Sequence, residues 1–266
     1  MSESDQTADE TEQTEMTETI TSPDNEKLKL VRKLSHPRGR EKHGLFATEG
    51  EDLLAAGLAG GRKPETVLIA AGAMIAGARG IEVDPELLAG VSVLGSGTRV
   101  IAVWPLPAPG AVDPTRGCVF LDGVGDPGNV GTIVRTAEAL SGAQVVLGAG
   151  CADPYSPKAL RASAGAVMRR PPAVAAIEAT PAPRLALETR DAGPLDERIA
   201  AIGPRTLVLG AEREGVSEAV LAACDGSASI PLQPNAESLN VAATAAIALQ
   251  RVCSAAAGAS GDETNG

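Results

Sequence analysis

The sequence predicts an α/β protein: a parallel, doubly wound sheet with helices on both faces, preceded by a smaller α/β unit. Three observations carry that expectation. From residue 118 onward, apolar runs of four or five residues alternate with segments of helical periodicity. Several of these runs end in a sharp Gly/Pro turn followed by carboxamide, hydroxyl or charged groups, as strands do when they deliver loops to a shared site. Finally, residues 105–117 hold four prolines and two glycines, which suit neither helix nor central strand and therefore mark a linker.

In chain order, residues 1–25 are rich in Ser, Thr, Glu and Asp and are expected to be disordered. Residues 26–104 form the first unit, with an amphipathic helix over 50–58 and strands over 66–70 and 98–103. After the linker, the second unit spans 118–254. Its strands are expected at 118–121, 144–147, 184–188, 206–209 and 228–230. A helix over 130–140 places Val130, Ile133, Val134 and Ala137 on one face, and Ser156 with Pro157 opens another as N-cap and first helical residue. Further helices are expected at 194–201, 216–223 and 238–252, the last carrying Ala at 242, 243, 245, 246 and 248. Such a small-residue surface suits close helix packing, in the core or across a subunit interface. Residues 255–266 are expected to be a disordered tail.

Composition excludes some functions. Aromatic residues make up 2% of the chain, too few for a base-stacking platform. No apolar run approaches the ~20 residues of a membrane span. The N-terminus is acidic where a signal peptide would be basic and then apolar, so a cytoplasmic protein is expected. Cys118, Cys151, Cys224 and Cys253 lack metal-type spacing and read as free thiols, with no metal site implied. The net charge of −11 resides mostly in residues 1–26, which hold nine acids and no Lys or Arg. Behind them, residues 27–42 carry seven Lys/Arg against the single acid Glu41. That stripe reads either as a solvated surface or as a footprint for a phosphate backbone.

Three blocks carry the chemistry: Asp122-Gly-Val-Gly-Asp-Pro-Gly-Asn-Val-Gly-Thr-Ile-Val-Arg135, Leu209-Gly-Ala-Glu-Arg-Glu-Gly215 and Ile230-Pro-Leu-Gln-Pro-Asn-Ala-Glu-Ser-Leu-Asn240. Within the first, Gly123, Gly125 and Gly128 match the dinucleotide fingerprint literally. Pro127, however, removes an N–H from the loop that would bind pyrophosphate. The following strand also ends in Gly148-Ala-Gly150 where an acid for the ribose is needed. A nicotinamide oxidoreductase is therefore the lesser reading.

In this order, the three blocks and the intervening Ser156-Pro-Lys-Ala-Leu-Arg-Ala-Ser-Ala-Gly165 resemble the SpoU/TrmH-type RNA 2′-O-ribose methyltransferases of the SPOUT superfamily. The segment from Arg32 through Arg40-Glu-Lys-His-Gly-Leu-Phe-Ala-Thr-Glu-Gly50 is similar to the start of that family's L30e-like accessory domain. The resemblance implies a C-terminal trefoil knot, S-adenosylmethionine as methyl donor, an RNA substrate (ribosomal RNA ahead of tRNA) and a homodimer. A second reading keeps the fold as an RNA-binding module without chemistry, which the intact motif residues disfavour. The resemblance implies a cofactor slot formed by Leu209, Gly210, Gly215, Ile230, Leu232 and Leu239. It further implies a catalytic group of Arg135, Asn129, Glu212, Ser238 and Asn240. Asn129 also suits the N-cap of its helix, and Ser238 that of the last helix. An arginine base is chemically awkward, so the conservative role for Arg135 is to orient a phosphate and stabilise a developing alkoxide. RNA contacts are expected from Arg32, Lys33, Arg38, Arg40, Lys42, Lys158 and Arg161.

Overall fold

The computed structural model describes residues 19–93, 97–188 and 192–261. The first unit runs α1 (Glu26–Leu34), α2 (Pro37–His43), β1 (Leu45–Glu49), α3 (Glu51–Ala59), β2 (Thr66–Ala70), β3 (Ile81–Val83), α4 (Pro85–Ala89) and β4 (Val100–Pro105). Its sheet has the order β1-β4-β2-β3, antiparallel except for the β2–β3 pair. The basic stripe folds as α1 and α2. Leu28, Val31 and Leu34 face inward, so the cations between them are left at the surface. The Asn25 side chain caps α1 at the N–H of Lys27, and Pro37 starts α2, which Gly44 ends in the left-handed region.

The second unit runs β5 (Cys118–Leu121), α5 (Pro127–Leu140), β6 (Gln144–Leu147), α6 (Pro157–Ser163), α7 (Ala166–Arg169), β7 (Ala173–Val174), β8 (Arg184–Leu187), β9 (Gly193–Pro194), α8 (Leu195–Ile202), β10 (Thr206–Leu209), α9 (Glu218–Leu221), β11 (Gly226–Ser229) and α10 (Val241–Gly261). Its seven strands are all parallel, in the order β7-β6-β5-β10-β8-β11-β9. Strands β5 and β10 are buried throughout, as central strands covered on both faces must be.

One hydrophobic core runs through both units. Phe46, Leu53 and Trp104 of the first pack into the same cluster as Val119, Ile133, Val167 and Met168 of the second. The fully buried Trp104 satisfies its indole N–H on the Thr48 hydroxyl at 2.8 Å. A separate cluster lies beneath α1, and a third covers the other face of the parallel sheet around Phe120, Val146 and Val208. Among the described residues, no helix is long and apolar enough to cross a membrane, and all four cysteines are free. Burial pushes the Cys118 thiol up to about 12 and the Cys224 thiol up to about 11.

Several boundaries differ from expectation for identifiable reasons. Residues 1–18 of the expected tail lie outside the described residues, and its last part, from Thr19, is tied to the first unit. The Ile20 N–H bonds the Glu82 carbonyl, and the Ile20 carbonyl accepts from Asp84, adding the chain to the β3 edge. Helix α5 starts at Pro127 because the Asp126 carboxylate caps it, accepting from the Asn129 N–H at 2.9 Å. Asn129 is therefore inside the first turn, where its side chain is free for other work. Likewise Asn240, not Ser238, caps α10, its Oδ1 accepting from the Ala242 N–H at 2.9 Å. That helix continues to Gly261, seven residues beyond the expected domain end at 254. The helix expected over 216–223 shrinks to α9, and β4 extends to Pro105.

Candidate active site at the strand ends

The carboxyl ends of β8, β10 and β11 open onto a cleft of about 390 Å³, within the size range of small-ligand sites. All six residues expected in a cofactor slot line it: Leu209, Gly210, Gly215, Ile230, Leu232 and Leu239. Parallel sheets present ligand sites at this edge because the loops leaving adjacent strand ends diverge there.

The loop after β10 is built on two glycines. Ala211 and Gly215 exchange mutual backbone hydrogen bonds at 3.0 Å, closing a tight turn around Glu212-Arg-Glu214. Gly215 sits at φ +74°, a conformation that L residues with side chains rarely adopt. A Cβ on Gly210 would lie 2.0 Å from the Gly215 carbonyl carbon, so backbone meets backbone where no side chain fits. The loop is tied down by the Ser217 N–H, which donates to Asp122 Oδ2 at 2.7 Å.

Beside this loop the three motif blocks meet through their polar side chains. Asn129 donates through Nδ2 to Glu212 Oε1 at 2.5 Å and accepts through Oδ1 from Asn240 Nδ2 at 3.1 Å. Asn240 simultaneously caps α10, so its amide orientation is fixed by two elements. Ser238 and Glu212 line the cleft, and Ser238 is solvent-exposed. This chain of two amides and a carboxylate offers both donors and acceptors beside the cleft that Glu212 lines. Asp126 connects the chain to α6: its other carboxylate oxygen pairs with Lys158. That pairing and the N–H groups of Asn129 and Gly128 hold the Asp126 carboxyl below its ordinary value.

Arg135 does not join the cluster. It is exposed on α5 and has no hydrogen-bond or ion-pair partner among the described residues. Six residues beyond Asn129 on an α-helix, it is turned roughly 120° away from that residue around the axis. Of the expected RNA-facing cations, Arg32, Lys33, Arg38, Lys42 and Arg161 are exposed, while Lys158 is engaged by Asp126. Arg40 is a correction. It is only 2% exposed, and its guanidinium is committed to Asp153 and the Leu34 carbonyl, so it does not present charge to a phosphate.

Sequence reasoning missed Glu188, which follows β8 and lines the cleft facing Gly215. Its position at a strand end was visible, but nothing distinguished it from other loop acids. Burial raises its carboxyl above the ordinary 4.5, partly offset by the Val216 N–H. The folded state therefore binds this proton more tightly than the unfolded state does. Stability falls as pH rises from 4.5 through the raised value and stays at the lower level above it. Glu188→Gln is accordingly expected to raise the unfolding temperature at neutral pH, with the advantage vanishing below pH 4.5. An equal difference at both pH values, measured by thermal unfolding, would contradict this assignment.

The fold and cleft define a ligand-binding α/β protein with its site at the carboxyl edge of a parallel sheet and an amide–carboxylate cluster at the mouth. The model of the SpoU rRNA Methylase family matches residues 117–250. The chain is 31% identical over 240 residues to the 23S rRNA (guanosine(2553)-2′-O)-methyltransferase RlmP of Bacillus subtilis, covering 86% of this chain and 96% of that protein. A putative RNA methyltransferase of the TrmH family from Porphyromonas gingivalis superposes with TM-score 0.71 at 30% identity, covering 85% and 96% of the two chains. The SpoU methyltransferase AviRb from Streptomyces viridochromogenes, solved in complex with the cofactor AdoMet, shares the fold with TM-score 0.77 at 24% identity, covering 88% and 98%. The chain belongs to the SpoU rRNA methylase family.

Proposed function

We propose that the protein transfers a methyl group from S-adenosylmethionine to a ribose 2′-hydroxyl of RNA, with ribosomal RNA as the substrate class and the cytoplasm as its place of work. The observation that carries this reading is that the second and third motif blocks line one cleft and the first joins them through the Asn129 bonds to Glu212 and Asn240, in a chain of this family. The similarity to RlmP, named for a 23S rRNA 2′-O-methylation, favours ribosomal RNA.

The cleft suits the cofactor chemically. Leu209, Ile230, Leu232 and Leu239 offer apolar walls, and Gly210 and Gly215 expose backbone to a flat heterocycle. Glu188, Glu212 and Glu237 against the single Arg213 give a lining suited to a cationic ligand. When bound, S-adenosylmethionine supplies a methyl carbon made electrophilic by its sulfonium. The chain's own task is to align the ribose oxygen with that carbon and to stabilise it as its proton passes to a substrate phosphate or to water. Asn129, Glu212, Ser238 and Asn240 orient the ribose at the cleft mouth. Arg135, permanently charged, holds a substrate phosphate and the developing alkoxide.

The placement of Arg135 away from Asn129 supports a homodimer in which Arg135 of one protomer serves the site of the other. In that arrangement a monomeric interface variant transfers no methyl, and an active monomer would refute it. We also propose that the segment after β11 threads the family's trefoil knot and that the first unit is L30e-like. The return of α10 across α5 and β10 after β11 supports the threading. An experimental trace with residues 230–240 outside the loop joining β8 to β10 would overturn it. Substrate class is tested by offering unmodified ribosomal RNA and tRNA with labelled methyl donor. Label enters ribosomal RNA on this reading, and label confined to tRNA would reject that substrate.

A further inference from the structure

We propose that the Arg40–Asp153 pair, in which the arginine is buried and the carboxylate half-buried, is a positioning lock that holds the basic first unit in register with the reaction centre; this rests on the RNA-methylation reading above. Arg40 donates through Nε and Nη2 to Asp153 Oδ2 at 2.8 and 2.6 Å, and through Nη1 to the Leu34 carbonyl at 2.8 Å. One side chain thus joins α2, the end of α1 and the segment that leads into α6. At 2% exposure the guanidinium has little recourse to water, so losing its partner would strand a buried charge. An apolar pair would bury the same surface but would not fix direction, whereas the planar fork does.

The bonds continue from Asp153 toward the site. Its Oδ1 accepts from the Tyr155 N–H at 2.7 Å, shaping the turn into Ser156, which caps α6. The Tyr155 ring packs on Phe46 of β1 with centroids 4.9 Å apart, a second strut between the units. Helix α6 then carries Lys158 to Asp126, whose other oxygen holds the Asn129 N–H. Asn129 in turn bonds Glu212 and Asn240. Helix α2 has seven residues, too few to persist without tertiary anchoring, and it carries Arg38 and Lys42 at the surface on either side of Arg40. A phosphate held by those two cations is therefore placed relative to the active-site amides through the Arg40–Asp153 bonds.

The test is Asp153→Asn, which keeps an amide oxygen for the Tyr155 N–H and removes the charge. Arg40→Lys, which keeps the charge and loses the fork, serves as the second variant. For each, the KM for ribosomal RNA is expected to rise about tenfold, comparable to losing one charge-assisted hydrogen bond. The kcat at saturating RNA and the affinity for S-adenosylmethionine should stay within about twofold, the signature of lost substrate binding alone. Hydrogen exchange across α2 should accelerate while α5 and β10 remain protected. Unchanged KM and unchanged α2 exchange would overturn the lock. So would a parallel loss of cofactor affinity and kcat, which marks general structural damage. Should the wild-type protein transfer no methyl at all, the functional reading fails instead, and RNA affinity with α2 exchange still decides the lock.

Discussion

Replacing Arg135 by Ala is expected to lower kcat for RNA methylation by about 10²–10³, the scale seen when one preorganised electrostatic group is removed from a reaction centre. Because Arg135 is exposed and has no partner among the described residues, the fold should not notice the change. Its unfolding free energy should stay within about 0.5 kcal/mol of wild type. Binding of S-adenosylmethionine, measured by calorimetry, should likewise be unaltered, since Arg135 is not among the residues lining the cleft. A variant retaining more than about a tenth of wild-type turnover would remove Arg135 from the chemistry. Arg135→Lys separates charge from shape: a lysine keeps the cation but not the bidentate fork, so partial activity points to charge and none to geometry.

Gly210→Ala acts on the opposite half of the site. The new methyl group would stand 2.0 Å from the Gly215 carbonyl carbon and 2.2 Å from the Val216 nitrogen. The neighbouring backbone has little room to retreat, because Ala211 and Gly215 are mutually bonded and Ser217 is tied to Asp122. Overpacking of this kind costs about 1–3 kcal/mol. If the strain falls on the loop, affinity for S-adenosylmethionine drops by up to about 100-fold. The protein should still fold, because the strands behind the loop bury their own core. An unchanged dissociation constant would mean that the loop does not hold the cofactor.

The sequence and structure agree best where local and global demands coincide. Strands β2, β5, β6 and β10 fall on the residues expected, because each is a short apolar run bounded by turn residues and buried by the sheet. The six residues that the family resemblance groups together do line one cleft, because all of them lie at or just beyond the carboxyl ends of strands in the same sheet. Other features depend on long-range partners. Arg40 looks like any cation in a basic stripe until Asp153, 113 positions away, accepts its bonds. Helices α1 and α2 were hidden because that run reads equally as a charged surface, and the stripe of Leu28, Val31 and Leu34 beneath it is narrow. Asp126 took the capping role assigned to Asn129 because Pro127 fixes the helix start one residue after it. Asn240 displaced Ser238 as the α10 cap by the same local competition. Glu188 gains significance only from the loop of β10 folding over it.

The most direct experiment identifies where the methyl group goes. Ribosomal RNA transcribed without modifications would be incubated with the protein and S-adenosylmethionine, digested to nucleosides and analysed by mass spectrometry. The expected product is a single 2′-O-methylated nucleoside, formed about 10²–10³ times more slowly when Arg135→Ala replaces the wild type. A methyl group on a base, or ribose methylation by the Arg135 variant at more than about a tenth of the wild-type rate, would contradict the site as it is assigned.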